Sequence, residues 1–137
     1  MLISKLIMEI DMQKENELAK TAVNIAYKIH VQYGAGLFES VYEEILCFEL
    51  GKGGLCFTRQ QPIPVVHESI KLNAGFRADV IIESKLLLEI KSIDSLALVH
   101  YKQVQTYLKL TGLKLGLLIN FNVAYLKEGI KRVINSY

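Results

Sequence analysis

Four short apolar runs in the middle of the chain constrain its fold more than any other feature. They cover residues 55–59, 63–67, 76–82 and 86–93, and turn residues separate them, most clearly Glu68-Ser69 and Asn73-Ala74-Gly75. Runs of this length bounded by turns are typical of strands. Pro62 and Pro64 suit an edge strand or a bulge, because proline lacks the N–H that a central strand must donate. The middle of the chain therefore predicts a β-meander.

Helical spacing of apolar residues flanks this meander. Three helices are predicted, at residues 17–33 with Asn16 as N-cap, at 37–50 before Gly51, and at 99–111 before Gly112. Residues 114–121 form a continuous apolar run, as a strand buried on both faces would. The tail around Val133 fits a last short strand or a final helical turn. The predicted order is α-α-β-β-β-β-α-β, an α/β fold with a mixed sheet flanked by helices.

Length and composition indicate one globular domain. The chain has 137 residues, of which 51% are hydrophobic and 22% charged, and residues 1–15 read as an N-terminal extension of a single domain over 1–137. A net charge of +2 neither requires nor excludes a nucleic-acid partner. No signal-peptide pattern and no run of about 18 apolar residues is present, so a cytoplasmic protein without a membrane partner is expected.

The two cysteines, Cys47 and Cys56, are expected to be free thiols. Their spacing does not match a zinc or iron–sulfur motif, and His67 lies in a strand-and-turn segment without a histidine partner nearby. In a reducing compartment such thiols stay unpaired.

Charged residues interrupt two of the apolar runs at a spacing that suggests a metal site. Side chains alternate along a strand, so Glu89 and Lys91 project from one face and Ile90 from the other. If residues 83–85 all loop out, Ile82 pairs with Leu86 and Asp79 falls opposite Glu89; a two-residue loop would separate the carboxylates. The chemistry therefore predicts an odd-numbered loop or a bulge at this turn.

Two neighbouring carboxylates repel each other, and a divalent cation relieves that repulsion. Asp79 and Glu89 suit Mg²⁺ or Mn²⁺, the Ile90 backbone carbonyl is a natural further ligand, and Lys91 is placed to orient or help deprotonate a water. The competing interpretation is a surface ladder of salt bridges. It is weakened because the flanking residues are those of central strands, where charges need a reason.

Two helices carry residues that fit the same site. Gln103 and Tyr107 stand four apart on the third predicted helix and share a face, so Gln103 is a candidate to bond a metal-bound water or phosphate and Tyr107 to brace the Glu89 strand. Taken alone, an ordinary core tyrosine explains them better. Glu39 and Tyr42 lie three apart near the start of the second helix, where Glu39 alone reads as an acid favoured by the helix dipole.

Together these residues resemble a known family. Residues 36–42 (Gly-Leu-Phe-Glu-Ser-Val-Tyr) are similar to the signature of the bacterial GxxExxY family. Asp79, residues 89–91 (Glu-Ile-Lys) and residues 103–107 (Gln-Val-Gln-Thr-Tyr) resemble motifs II, III and QxxxY of the PD-(D/E)xK nuclease superfamily, in its RecB and lambda-exonuclease branch. The resemblance covers about residues 17–133.

The resemblance implies a restriction-endonuclease-like αβββαβ core with an extra N-terminal helix. It further implies a Mg²⁺-dependent phosphodiesterase site in which Asp79, Glu89 and Glu39 bind metal, Lys91 acts on the nucleophilic water, and Gln103 and Tyr107 give support. The leading hypothesis is thus a metal-dependent nuclease that hydrolyses nucleic acid, DNA more readily than RNA, through a metal-activated water.

Basic residues are spread along the chain without a cluster. Arg77 and Lys102 are the best candidates for phosphate contacts, since each is close in sequence to a site residue. This thin distribution keeps an alternative open, a catalytically silent module of the same fold that binds nucleic acid or a protein partner, or that forms a homodimer to gain surface.

Overall fold

A computed structural model describes residues 2–72 and 75–135, except for the side chains of residues 8–10. In chain order its elements are α1 (Leu2–Asp11), α2 (Gln13–Tyr33), α3 (Glu39–Lys52), β1 (Phe57–Pro62), β2 (Val65–His67), β3 (Ile70–Leu72), β4 (Arg77–Ile82), β5 (Leu86–Lys91), α4 (Leu98–Thr111), β6 (Leu115–Asn120), α5 (Leu126–Gly129) and β7 (Ile130–Ile134). The main sheet has the strand order β1-β4-β5-β6-β7, and β2 pairs with β3 in a separate two-stranded sheet.

The predicted fold class is confirmed. The main sheet is mixed, because β5 and β6 are parallel while its other neighbouring strands are antiparallel. The order α3-β1-β4-β5-α4-β6 gives the αβββαβ core, into which the β2–β3 hairpin is inserted. Among the described residues, no helix is both long and apolar enough to cross a membrane.

The sheet has a hydrophobic core on each face, because its strands alternate their side chains. Val80 and Leu88 belong to the core that packs against α2 and α3. Ile81 and Leu87 belong to the second core, which packs against α4. There α4 approaches closely: a Cβ on Gly116 of β6 would lie 2.8 Å from Val104 Cγ1, so any larger residue would force Val104 to shift. All six residues of β6 are buried, as predicted.

The hairpin between β4 and β5 has the predicted register, with Ile82 paired to Leu86 and a three-residue loop between them. Glu83 and Ser84 take left-handed backbone conformations, with φ of 52° and 55°. For residues other than glycine such conformations cost on the order of 1 kcal/mol each. The loop is held in return by Cys56, whose backbone N–H donates to Glu83 Oε1 at 2.8 Å. The odd loop therefore directs Asp79 towards Glu89.

Several element boundaries differ from the prediction. Asn16 is not an N-cap: α2 begins at Gln13, and Asn16 lies within the helix, where Arg132 bonds its side chain. Residues 2–11, predicted only as an extension, form α1. The polar edge strand β1 extends to Pro62 because pairing with β4 supplies its backbone hydrogen bonds. Of the two alternatives for the tail around Val133, the strand is confirmed as β7, and the short helix α5 lies before it.

Three residues that the sequence left between turns, 70–72, form strand β3, because they pair with β2. Of the turn predicted at residues 73–75, Asn73 and Ala74 lie outside the described residues. The proline prediction is confirmed for Pro62, which ends β1, an edge strand of the main sheet.

Candidate metal site

Asp79 and Glu89 interlock where β4 and β5 stop pairing. The paired residues end at Val80 and Leu88, one position before the two acids. Beyond that point the carboxylates take over the backbone hydrogen bonds: the Asp79 N–H donates to Glu89 Oε1 at 3.2 Å, and the Ile90 N–H donates to Asp79 Oδ2 at 2.8 Å. Each strand thus holds the acid of the other, and the two carboxylates are kept together.

Burial makes this pair costly to ionise. Desolvation and the charge of Asp79 raise the pKa of Glu89 from 4.5 to about 8. Desolvation likewise raises the pKa of Asp79, although the hydrogen bond from the Ile90 N–H opposes the shift. The charge of Lys91, on the same face of β5, lowers the pKa of both acids without cancelling the rise. Lys91 alone therefore does not balance the negative charge that Asp79 and Glu89 carry when both are ionised.

Lys91 ends β5 and is half-buried. Its carbonyl accepts a hydrogen bond from the Phe121 N–H at 2.9 Å, which ties the end of β5 to the end of β6. Ile90 points its side chain into the core, as predicted for a residue between two site residues. The contact that Ile90 makes to Asp79 is through its N–H; metal ligation by its carbonyl stays a prediction.

Glu39 meets the chain just after β5. It is the first residue of α3, and its Oε2 accepts a hydrogen bond from the Ser92 N–H at 3.2 Å. Asn120, at the end of β6, fixes the next residue: its amide donates to the Ile93 carbonyl and accepts from the Ile93 N–H. Glu39 therefore positions the segment that follows Lys91.

Glu43, one turn after Glu39 on α3, is a site residue that the sequence analysis missed. It is buried, and its Oε2 accepts hydrogen bonds from Arg59 Nε at 3.2 Å and Nη2 at 3.0 Å. Its charge contributes to the raised pKa of both Asp79 and Glu89. The spacing from Glu39 was the available signal, because residues four apart share a helix face.

Gln103 and Tyr107 lie on the α4 side of the pair and bond to each other, with Gln103 Nε2 donating to the Tyr107 hydroxyl oxygen at 3.0 Å. Tyr107 is buried and packs edge-to-face on Phe76, with ring centroids 5.7 Å apart. Burial and the charge of Glu89 raise the pKa of Tyr107. The two residues thus form one unit that faces Glu89 from α4.

Tyr42, the last residue of the segment 36–42 that resembles the GxxExxY signature, has a structural role. Its ring stacks on Phe121 with centroids 4.2 Å apart. Its hydroxyl donates to the Gly34 carbonyl and accepts from the Leu37 N–H at 3.2 Å. The loop between α2 and α3 is therefore fixed against Phe121, the residue that follows β6, which places Glu39 at the start of its helix.

Arg77 and Lys102 are solvent-exposed. Arg77 begins β4, two residues before Asp79, and Lys102 lies on α4, next to Gln103. Their role in binding phosphate stays a prediction.

The residues present fit a divalent cation that is held by no more than two protein carboxylates. Within residues 2–72 and 75–135, no three Asp, Glu, His or Cys side chains converge closely enough to hold an ion together. Glu39 therefore does not join Asp79 and Glu89 in one cluster, and its role as a metal ligand stays a prediction. Two hard carboxylates with raised pKa values suit an ion such as Mg²⁺, which proteins commonly bind through one or two carboxylates plus water and substrate phosphate.

Comparison with known proteins adds two findings. A family model for the PD-(D/E)XK nuclease superfamily matches residues 16–133. The crystal structure of SSO0001 is similar, with a TM-score of 0.53 and 20% sequence identity over 95% of this chain; the chain spans 62% of that one. At this identity the second likeness shows the fold alone. Among curated proteins, none matches the chain in sequence.

Proposed function

Since the chain belongs to the PD-(D/E)XK nuclease superfamily, we propose that it is a metal-dependent nuclease that hydrolyses phosphodiester bonds in nucleic acid. Membership indicates a nuclease-like function and a nucleic-acid partner. The observation that carries the proposal is the pair formed by buried Glu89 and half-buried Asp79, in which each carboxylate is bonded to the strand of the other, with Lys91 on the same face.

Nucleases of this superfamily typically use divalent metal ions. For this chain we propose Mg²⁺ or Mn²⁺, held by Asp79 and Glu89 as hard oxygen ligands. When bound, such an ion lowers the pKa of a water molecule and offsets negative charge on phosphate.

The side chains around the pair have distinct proposed roles. Lys91 orients the attacking water and stabilises the negative charge that develops on the phosphate. Gln103 and Tyr107 support Glu89 from α4, since the charge of Glu89 acts on the Tyr107 hydroxyl. Glu39 keeps the segment after Lys91 in place through Ser92.

DNA is the proposed substrate ahead of RNA, as the sequence resemblance to the RecB and lambda-exonuclease branch implies. Arg77 and Lys102, both exposed, are the proposed phosphate contacts. Because the chain has few basic residues near the site, a homodimer would double the surface available to nucleic acid. Sedimentation at several protein concentrations, with and without DNA, tests that assembly.

A cleavage assay tests the function. Single-stranded DNA, duplex DNA and RNA are incubated with Mg²⁺ or Mn²⁺ and with wild type, Asp79→Asn or Lys91→Ala. We expect each variant to lose about 10²- to 10³-fold in rate, the usual effect of removing one group that stabilises charge in a transition state. Asp94→Asn and Lys85→Ala are matched controls at exposed positions. Both should cut like wild type.

Two outcomes would contradict the proposal. Cleavage by Lys91→Ala at the wild-type rate would place the activity elsewhere or in a contaminant. Wild-type protein that binds Mn²⁺ in a calorimeter yet cuts none of the three substrates would instead indicate the catalytically silent module.

A further inference from the structure

Gln60 occupies an unusual backbone position across from the site. It lies on β1 opposite Asp79, because the residues on either side of it pair with Val80 and Ala78 of β4. Its φ is 50°, in the left-handed region that residues other than glycine rarely adopt. Such conformations persist where surrounding contacts require them, and they are concentrated at functional sites. A role for the Gln60 side chain follows from what it contacts.

The Gln60 amide bonds to two carboxylates at once. Nε2 donates to Glu43 Oε1 at 2.7 Å and to Asp79 Oδ1 at 3.2 Å. A primary amide nitrogen carries two hydrogens and so serves both acceptors. The second oxygen of each acid is held elsewhere, by the Ile90 N–H for Asp79 and by Arg59 for Glu43. Both carboxylates are therefore fixed at both oxygens.

The amide holds the two acids without neutralising them. A lysine at this position would supply the same hydrogen bonds, but its positive charge would occupy the place of a cation. Glu43 is already paired with Arg59, whereas the neutral amide leaves the negative charge of Asp79 available to a metal ion. A residue that only stabilised the fold could be neutral or positively charged, whereas a residue that positions a metal ligand has to be neutral.

This inference rests on the proposed function: we propose that Gln60 is a positioning residue for metal binding, whose neutral amide, anchored on Glu43, orients Asp79 for a divalent cation and leaves the charge of Asp79 to that cation. Side chains that orient metal ligands typically contribute about 10- to 100-fold to metal affinity.

Mn²⁺ titration of the whole chain by calorimetry at one pH tests this role, with the thermal midpoint of each metal-free variant measured alongside. Gln60→Met removes both hydrogen bonds at similar size and should weaken Mn²⁺ binding about 10-fold. Gln60→Lys should lose Mn²⁺ binding while its thermal midpoint is no lower than that of wild type, because the ammonium pairs with both acids. Gln61→Met, the same change at the adjacent exposed residue, should bind like wild type.

The outcomes separate this inference from the function it rests on. Wild type that binds Mn²⁺ together with Gln60→Met that binds equally well overturns the positioning role and leaves the nuclease proposal standing. Full Mn²⁺ affinity in a folded Gln60→Lys also overturns it. Wild type that binds no Mn²⁺ overturns the metal-dependent function, and the inference with it. If Gln60→Lys does not fold, the comparison of Gln60→Met with Gln61→Met decides.

Discussion

β5 and β6 lie side by side and parallel in the centre of the sheet, yet they differ in chemistry. In their register Glu89 stands beside Leu118, and Lys91 beside Asn120. Glu89 is 3% exposed and Leu118 is fully buried, so the two positions are nearly equal in burial. One strand places a carboxylate where the other places a leucine.

The difference shows that β6 stabilises the sheet, whereas β5 carries the charged residues of the candidate site. Burying a leucine stabilises the fold by about 2–3 kcal/mol, whereas burying an unpaired carboxylate opposes folding. β6 and the apolar half of β5 supply the stability that lets Glu89 stay buried without a fixed counter-charge. Substitutions at Leu118 and at Glu89 should therefore affect stability in different ways.

Truncating the apolar partner should have the largest effect. Leu118→Ala removes a buried side chain from the core against α4 and should lower the free energy of unfolding by about 4 kcal/mol. Urea denaturation measures the change. The control is Leu98→Ala, where the leucine is exposed at the start of α4, and it should change stability by less than about 0.5 kcal/mol. Equal effects at the two positions would contradict the role given to β6.

The charged partner should make stability depend on pH. The pKa of Glu89 is about 8 in the folded protein against an ordinary value of 4.5, so between these values the folded state keeps a proton that the unfolded chain releases. The contribution of Glu89 to stability is therefore fully present below about pH 4.5 and is lost as pH rises through 8. Without metal, the free energy of unfolding should drop by about 2–3 kcal/mol between pH 5 and 8.5.

Denaturation at both pH values in the presence of a chelator checks this slope. Glu89→Gln should remove most of it, because the amide does not titrate. Glu128→Gln, at an exposed position on α5, should keep it. If the free energy of unfolding of Glu89→Gln depends on pH as strongly as that of wild type, ionising Glu89 in the folded protein does not lower its stability.

A smaller effect is expected on the α4 side of Glu89. Tyr107→Phe removes the hydroxyl that accepts from Gln103 and should lower the free energy of unfolding by about 1 kcal/mol. Tyr125→Phe, at an exposed tyrosine, should have no measurable effect on denaturation. If Tyr107→Phe is equally silent, the hydrogen bond between Gln103 and Tyr107 makes no measurable contribution to stability.

The sequence predicted the centre of the site well because that geometry is local. Strand alternation and a three-residue loop were enough to bring Asp79 and Glu89 together, and the pairing of Ile82 with Leu86 confirms the register. Tyr107 and Gln103 followed from helical spacing for the same reason. Such patterns depend on residues that are close in the chain.

What the sequence missed depends on contacts between distant segments. Glu43 belongs to the site because Arg59 and Gln60, 16 and 17 residues away, bond its two oxygens. The polar strand β1 that carries them lacks an apolar alternation, and only pairing with β4 completes it. The spacing from Glu39 places Glu43 on the same face of α3, but it does not show that β1 would bring Arg59 and Gln60 to it.

The two connections that enter β4 and leave β5 differ in how freely their lengths can vary. Residues 92 and 93 are bonded by Glu39 and Asn120, so an inserted residue there would pull on the end of β5 beside Lys91. The β2–β3 hairpin makes its own two-stranded sheet, and its turn at Glu68-Ser69 is exposed. Insertions and fused peptides belong at that turn, where the chain can lengthen without moving the two acids.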